Sequence, residues 1–142
     1  MKGFLRAGHF PTLMSALLYF DVSFMVWGLL GVLVNYIVAD LPLTPGQKGL
    51  LVATPILGGA LLRLPMGILA DRWGGKRTGI LGMILTIVPL MLGWLWADSY
   101  AELLFAGFLL GMAGASFAVA LPLASRWYPL EHQGLALGIA GA

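Results

Sequence analysis

The chain has 142 residues, of which 60% are hydrophobic and 10% are charged, and its formal net charge is +2. Soluble domains carry about 25% charged residues, so this composition excludes an ordinary soluble domain and indicates an integral membrane protein. The chain has no cysteine, which excludes disulfide frameworks and cysteine metal sites. Two histidines far apart predict neither a metal site nor a cofactor. The basic residues form no stripe, so nucleic acid is not an expected partner.

The N-terminal stretch MKGFLRAGHFPTLM has the charged flank of a secretory signal peptide. The apolar region that follows runs from about Leu13 to Ala39. A signal peptide has an apolar region of only about 7–15 residues. We therefore predict a retained transmembrane span here.

Four apolar runs are long enough to cross the ~30 Å hydrocarbon core of a bilayer as helices. They cover about residues 13–39, 49–70, 78–97 and 101–125, and a fifth run occupies about residues 133–142. The connections between them contain proline, paired glycines or short polar stretches. The sequence therefore predicts an all-α membrane protein with four transmembrane helices and the start of a fifth.

The basic residues at the ends of these runs predict the orientation of the chain. Six of them lie in the N-terminal tail and in the second and fourth connections: Lys2, Arg6, Arg72, Lys76, Arg77 and Arg126. The first connection holds only Lys48, and the third holds none. Basic residues accumulate in cytoplasmic connections, so we expect the N-terminus to be cytoplasmic.

Arg63 lies inside the second apolar run, nine residues before Arg72. In a helix this separation is roughly 13 Å, which places Arg63 near the middle of the membrane. A charged side chain at that depth costs about 2.5–3.5 kcal/mol even on the mildest scale. Arg63 is therefore a candidate functional residue.

Three interpretations of Arg63 compete. Snorkelling to the cytoplasmic face is disfavoured, because helical side chains tilt toward the N-terminus of their helix and so toward the membrane centre. An ion pair is limited to Asp21, the one acidic residue placed within a span. An anion site is favoured, because Pro55, Gly59, Arg63 and Gly67 form a nearly bare four-residue stripe. The guanidinium alone leaves nitrate, bicarbonate, carboxylates and phosphate open.

Small residues recur at four-residue intervals in the later spans, at Gly107, Gly111 and Ala115 and again at Gly134 and Gly138. Such spacing lets helix backbones approach closely. The pattern predicts a bundle of packed spans and not a set of separate anchors.

The second connection, GILADRWGGKRTG, resembles the signature loop of the major facilitator superfamily. The matching residues are Gly67, Asp71, Arg72, Gly74, Lys76 and Arg77. The resemblance implies the major facilitator fold and a loop that helps to hold the outward-facing state. It also implies that Asp71 pairs with a basic residue at a neighbouring helix end, for which Arg126 is the candidate.

The final stretch, GMAGASFAVALPLASRWYPLEHQGLALGIAGA, is similar to the signature region of the nitrate/nitrite porter family within that superfamily. The runs DVSFMVWGLLG and PILGGALLRLPMG also fit that family. The resemblance implies nitrate or nitrite as the transported anion, moved by alternating access across the lipid bilayer. It places substrate-binding roles on Arg63, on the aromatic Phe117 and on the helix-five glycines Gly138 and Gly141.

Carriers of this superfamily have two halves of six helices each, and substrate sites lie between their repeats. We therefore expect residues 1–142 to be a partial N-terminal half that needs the missing C-terminal portion of the carrier. A shortened protein, an incomplete gene and a split gene would all account for it. We expect an integral protein of a bacterial inner membrane. The sequence does not determine whether nitrate or nitrite is preferred. It also does not determine whether transport is coupled to protons or exchanges nitrate for nitrite.

Two alternative functions remain. One is a major facilitator carrier for another organic anion or a drug, and the other is a small non-transporting membrane protein that oligomerises through its glycine stripes. An enzyme is not expected, because Ser116, Ser125 and His132 form no assembled pair of nucleophile and base.

Overall fold

A computed structural model describes residues 2–142, with side chains from Phe4 onward. The side chain of Lys2, one of the six basic residues counted above, thus lies outside the described side chains. Within this part, the chain forms helices joined by short connections. They are α1 (Lys2–Ala7), α2 (Phe10–Trp27), α3 (Leu29–Asp40), α4 (Pro45–Trp73), α5 (Gly75–Leu95), α6 (Tyr100–Gly114), α7 (Phe117–Ser125) and α8 (Leu130–Ala140).

The four predicted spans correspond to four segments that are long and apolar enough to cross a membrane. These segments are Phe10–Asp40, Pro45–Trp73, Gly75–Leu95 and Tyr100–Ser125. The predicted all-α membrane architecture is therefore confirmed. The fifth predicted run corresponds to α8, which has 11 residues.

Side-chain caps define where two of these helices begin. The Thr44 side chain accepts a hydrogen bond from the Gln47 backbone N–H, and the Gln47 side chain accepts one from the Thr44 N–H. Ser99 and Glu102 make the same reciprocal pair at the start of α6. Each pair satisfies backbone donors that a helix N-terminus leaves without partners, and so positions α4 and α6 at their common end of the bundle.

The first predicted span contains a one-residue interruption, which the sequence analysis did not predict. Helix α2 ends at Trp27 and α3 begins at Leu29, with Gly28 between them. The Gly31 N–H donates to the Gly28 carbonyl at 3.1 Å, a three-residue step tighter than that of an α-helix. Glycine weakens a helix, but the span contains both Gly28 and Gly31, and the sequence alone does not show which of them interrupts it.

The fourth span is also interrupted, between α6 and α7. The Ser116 N–H donates to the Ala113 carbonyl at 3.2 Å, and the Ala118 N–H donates to the Ala115 carbonyl at 3.1 Å. These three-residue steps replace α-helical bonding over about one turn. This interruption, at Ala115 and Ser116, was also not predicted from the sequence.

Helices α4 and α6 pack through glycines. A β-carbon at Gly111 would overlap the backbone of Gly58 and Gly59, and one at Gly58 would overlap the Phe108 carbonyl. The two backbones are therefore in direct contact, as the four-residue spacing of small residues predicts. This contact holds the middle of α4 against α6, one helical turn before Arg63.

Two buried clusters lie on the side of the bundle where α7 runs. One joins α1, α2, α7 and α8 and consists of Phe4, Leu13, Ala16, Ala124, Tyr128, Ala136 and Ala140. The other joins α2, α4 and α7 and consists of Tyr19, Met66, Ala70, Ala115, Val119 and Ala120. Large apolar side chains elsewhere point outward, including Met25, Leu64 and Trp94. An outward-facing apolar surface of this kind suits a hydrocarbon environment.

Candidate functional site

Arg63 lies in the middle of α4, and its side chain is half-buried. Its Nε atom is buried and has no hydrogen-bond partner among the described residues. An unsatisfied donor of a charged group is costly in a low-dielectric interior. The guanidinium therefore has an unused donor inside the bundle.

Phe117 is the aromatic partner of Arg63. The guanidinium carbon of Arg63 lies 5.0 Å from the centroid of the Phe117 ring. Phe117 is the first residue of α7, directly after the break in the fourth span. The contact is a cation–π interaction, which holds the guanidinium without using any of its N–H donors. The structure thus brings together two residues that the family resemblance placed at the substrate.

A chain of aromatic rings on α2 continues from Phe117. Phe20 lies 5.7 Å from Phe117, Phe24 lies 5.9 Å from Phe20, and Trp27 lies 5.6 Å from Phe24, all between ring centroids. The sequence analysis missed these α2 residues. Their separations of four and three residues put them on one face of a helix, but an apolar face of a membrane helix faces lipid as often as it faces a site.

These residues line an open cavity of about 190 Å³, called here the Arg63 cavity. Pockets for drug-sized ligands have volumes of about 300–1,000 Å³, so this cavity suits a small ligand. Arg63 is the one charged residue in its lining, and four of the other lining residues are aromatic. The lining consists of Phe20, Phe24, Trp27, Arg63, Ala113, Gly114, Ser116 and Phe117.

We expected open space along the stripe of Pro55, Gly59, Arg63 and Gly67. That expectation was wrong at Gly59, where neighbouring helices occupy the space. A β-carbon at Gly59 would lie 3.2 Å from the Gly111 carbonyl oxygen and 3.3 Å from Trp27 Nε1, so α6 and the indole fill this part of the stripe. The glycines serve close helix packing. The cavity lies beside Arg63, where α2 and the break between α6 and α7 leave space.

Asp21 does not pair with Arg63 in the described part of the chain. The ion pair found there joins Arg126 to Asp71. Asp21 lies on α2, next to Phe20, but is absent from the lining of the Arg63 cavity. The structure therefore does not provide the carboxylate partner that the ion-pair interpretation of Arg63 requires.

Gly138 and Gly141 lie at the end of α8 and do not line the Arg63 cavity. A β-carbon at Gly138 would meet nothing within 4 Å, and one at Gly141 would lie 3.4 Å from a methyl carbon of Leu121. Helix α8 packs on α2 and α7 through Ala136 and Ala140 instead. These two glycines are thus not brought to Arg63 in the described residues.

The loop between the second and third spans contributes no residue to the lining of the Arg63 cavity. Gly74 separates α4 from α5 with a φ of 85°, a conformation that favours glycine. Arg72, Lys76 and Arg77 are exposed beside it. Gly67, nearer the cavity, packs toward Ala118 of α7.

Asp71 and Arg126 connect this loop to the end of α7. Arg126 Nη2 donates to Asp71 Oδ1 at 2.8 Å. The contact that the sequence suggested is thus present. Both side chains stay largely exposed, so the pair lies at the surface and not within the bundle.

A larger cavity of about 520 Å³ lies between α3, α5 and α6. Its lining is mainly apolar, and its charged residues are Asp40 and Asp98. Two carboxylates repel an anion. This cavity therefore does not fit the anion chemistry that Arg63 offers, despite its greater volume.

Comparison with known proteins finds similar curated proteins whose names describe nitrate or nitrite transport. The chain is 41% identical over 122 residues to the "Probable nitrate/nitrite transporter NarK2" of Mycobacterium tuberculosis, a match that covers 84% of this chain and 31% of that protein. It is 38% identical over 121 residues to the "Nitrite extrusion protein" of Bacillus subtilis, and this match covers 84% of this chain and 30% of that protein. It is 40% identical over 137 residues to the "Probable nitrate/nitrite antiporter NarK1" of Thermus thermophilus, and this match covers 96% of this chain and 31% of that protein.

The chain thus spans about a third of the length of these curated relatives. The family model described as the Major Facilitator Superfamily matches residues 15–142, which is most of the chain. The chain belongs to the Major Facilitator Superfamily.

Proposed function

We propose that the chain forms the N-terminal part of a carrier, not an enzyme, that moves nitrate, nitrite or both across a membrane. The observation that carries this proposal is the buried, unpartnered Nε of Arg63 beside a small aromatic cavity. The names of the three bacterial relatives, each of which refers to nitrate or nitrite transport or extrusion, agree with it.

The guanidinium of Arg63 is the proposed anion ligand. It is planar and offers a fork of N–H donors that matches two oxygens of a planar oxyanion. The guanidinium carbon lies 5.0 Å from the centroid of the Phe117 ring, and this contact uses none of the N–H donors. The aromatic lining limits the water around the bound anion and so strengthens the charge–charge attraction.

Transport by alternating access is proposed for the assembled carrier. Substrate sites in such folds lie between repeats near the middle of the membrane, so helices beyond those described here would complete the site. Gly138 is exposed on α8, where an added β-carbon would meet nothing within 4 Å, so this part of α8 is free to meet such helices. In this proposal Gly138 and Gly141 allow close approach between helices, as the family resemblance implies.

The proposed location is a bacterial inner membrane, with the N-terminus in the cytoplasm. The excess of basic residues in the N-terminal tail and in the second and fourth connections supports this orientation. In that orientation Asp71 and Arg126 lie at the cytoplasmic surface, where their contact would bias the carrier toward the outward-facing state.

The substitution Arg63→Lys tests the site. It keeps the positive charge but removes the planar fork of donors. We expect most uptake of isotopically labelled nitrate and nitrite to be lost in cells that lack other nitrate transporters, at equal membrane expression. The matched control is Arg6→Lys, an exposed arginine of α1, which should leave uptake unchanged. Wild-type uptake by the Arg63→Lys carrier would contradict the proposal.

A further inference from the structure

Ser116 is a polar residue in the lining of the Arg63 cavity that has no role in the proposed function so far. It lies in the break of the fourth span, directly before Phe117, whose ring contacts the Arg63 guanidinium. Ser116 is only 2% exposed, and because it lines the Arg63 cavity, the small surface that it exposes faces this open space. Ser116 is therefore an almost enclosed residue at the proposed anion site.

The Ser116 hydroxyl has no hydrogen-bond partner among the described residues. Four other hydroxyls of the helices donate to the carbonyl three or four residues earlier, as is common in helices: Ser15, Thr54, Thr86 and Ser125. The Ser116 hydroxyl makes neither this bond nor a capping bond to the start of α7. It is also not one of the fully enclosed polar atoms without a partner, which include Thr78 Oγ1. The hydroxyl therefore keeps some exposed surface, and its donor is free.

The third polar side chain of the lining, Trp27, has no donor to offer. Its single N–H, on the indole Nε1, donates to the Pro55 carbonyl oxygen at 2.9 Å. The other residues of the lining are phenylalanine, alanine or glycine. Among the side chains of the lining, Arg63 and Ser116 are therefore the two that have a donor without a partner.

We propose that the Ser116 hydroxyl donates a hydrogen bond to the anion that Arg63 binds. The inference rests on the proposed anion site and deepens it, because it assigns a second ligand from a different span. Planar oxyanions such as nitrate and nitrite have acceptors and no donor, and a hydroxyl hydrogen can rotate toward them. The guanidinium and the hydroxyl then connect α4 to the start of α7 through the bound anion.

The substitution Ser116→Ala distinguishes a ligand from a packing residue. Because the hydroxyl has no partner in the protein, its removal should not lower the unfolding midpoint of the nitrate-free carrier in detergent. Loss of a hydrogen bond to a charged group lowers affinity roughly 10–150-fold. An oxyanion shares its charge among its oxygens, so we expect the half-saturation concentration for labelled nitrate uptake to rise about tenfold. The maximal rate per carrier should stay nearly unchanged.

Ser23→Ala is the matched control, because Ser23 is a buried serine of α2, 8% exposed, that does not line the Arg63 cavity. It should leave the half-saturation concentration unchanged. A wild-type half-saturation concentration in Ser116→Ala would overturn the proposal. A rise that comes together with a lower unfolding midpoint would overturn it as well, since a packing defect would then explain both changes.

A second measurement does not depend on transport. This chain has no cysteine, so in a carrier whose remaining part is also free of cysteine, Ser116→Cys introduces a single thiol in the cavity lining. We expect nitrate, but not gluconate at the same concentration, to slow labelling of this thiol by methyl methanethiosulfonate severalfold. Ser23→Cys is the control and should react equally fast in both salts. Equal rates in both salts for Ser116→Cys, or no labelling at all, would overturn the proposal.

The anion site and the role of Ser116 can fail separately. If Arg63→Lys abolishes nitrate uptake while Ser116→Ala keeps the wild-type affinity, the anion site stands and the role of Ser116 is wrong. If Arg63→Lys keeps full uptake, the anion site is wrong and the role of Ser116 is wrong with it. If Ser116→Ala does not reach the membrane, Ser116→Cys decides the affinity measurement, because a thiol is only a weak donor. A wild-type affinity in that variant would then overturn the proposal.

Discussion

Arg126 at the end of α7 donates a hydrogen bond to the Asp71 carboxylate near the end of α4, at 2.8 Å, although 55 positions separate them in the sequence. The arginine side chain is 54% exposed and the aspartate side chain 72%. Exposed pairs contribute only about 0–1 kcal/mol to stability. The pair is thus suited to bias one arrangement of the second and fourth spans, and not to hold the bundle together.

The substitution Asp71→Asn removes the charge of this pair and should leave thermal stability almost unchanged. We expect the ends of α4 and α7 to separate more readily, so that a single cysteine at Ser125 reacts severalfold faster with a reagent supplied from the cytoplasm. Asp40→Asn, at the end of α3, is the matched control and should have no effect. Exchanging the two charges, with Asp71→Arg and Arg126→Asp together, should restore the slow rate. Unchanged labelling in Asp71→Asn would contradict a switching role.

The substitution Phe117→Leu removes the ring beneath the Arg63 guanidinium but keeps an apolar side chain. A cation–π contact contributes about 0.5–2 kcal/mol, which corresponds to roughly a 2–30-fold change in affinity. We expect the half-saturation concentration for nitrate uptake to rise within that range. Phe105→Leu changes an exposed ring on α6 and is the control. Equal effects of the two substitutions would argue against the contact.

The substitution Gly111→Ala tests the contact between α4 and α6. Its β-carbon would overlap the backbone of Gly58 and Gly59, so the two helices must separate. Overpacking of this kind costs about 1–3 kcal/mol. We expect a lower midpoint in thermal unfolding in detergent. Gly93→Ala, where a β-carbon meets nothing within 4 Å, should leave the midpoint unchanged or raise it.

The substitution Gly74→Ala tests the turn between α4 and α5. Gly74 has φ 85° and ψ 153°, a region that is essentially restricted to glycine. We expect a destabilisation of about 1–3 kcal/mol from the backbone conformation alone, because no residue beyond the two chain neighbours lies within 4 Å of the added carbon. Gly46→Ala, in the first turn of α4 and equally open, should be neutral or slightly stabilising. A neutral Gly74→Ala variant would contradict the strained turn.

The sequence by itself determined the membrane class, the four spans and the exceptional position of Arg63. These follow from composition, from the length of apolar runs and from the cost of a charge in hydrocarbon, which depend on residue type and local order alone. The resemblance of residues 111–142 to nitrate/nitrite porters added Phe117 to Arg63 as a predicted substrate-binding residue. Physical reasoning from the residues could not have named it, because an isolated phenylalanine on a membrane helix has no distinguishing feature.

The tertiary structure alone decided which apolar residues form the site. Phe20, Phe24 and Trp27 line the cavity because α2 lies against the break between α6 and α7, and sequence order does not encode that placement. The interruptions in the first and fourth spans were not predicted, since several glycines occur in these spans and none of them shows by sequence alone where the helix is interrupted. The space beside Gly59, which we expected to be empty, is occupied by Trp27 and α6. A missing side chain marks either a cavity or a close contact, and only the position of the neighbouring helix distinguishes them.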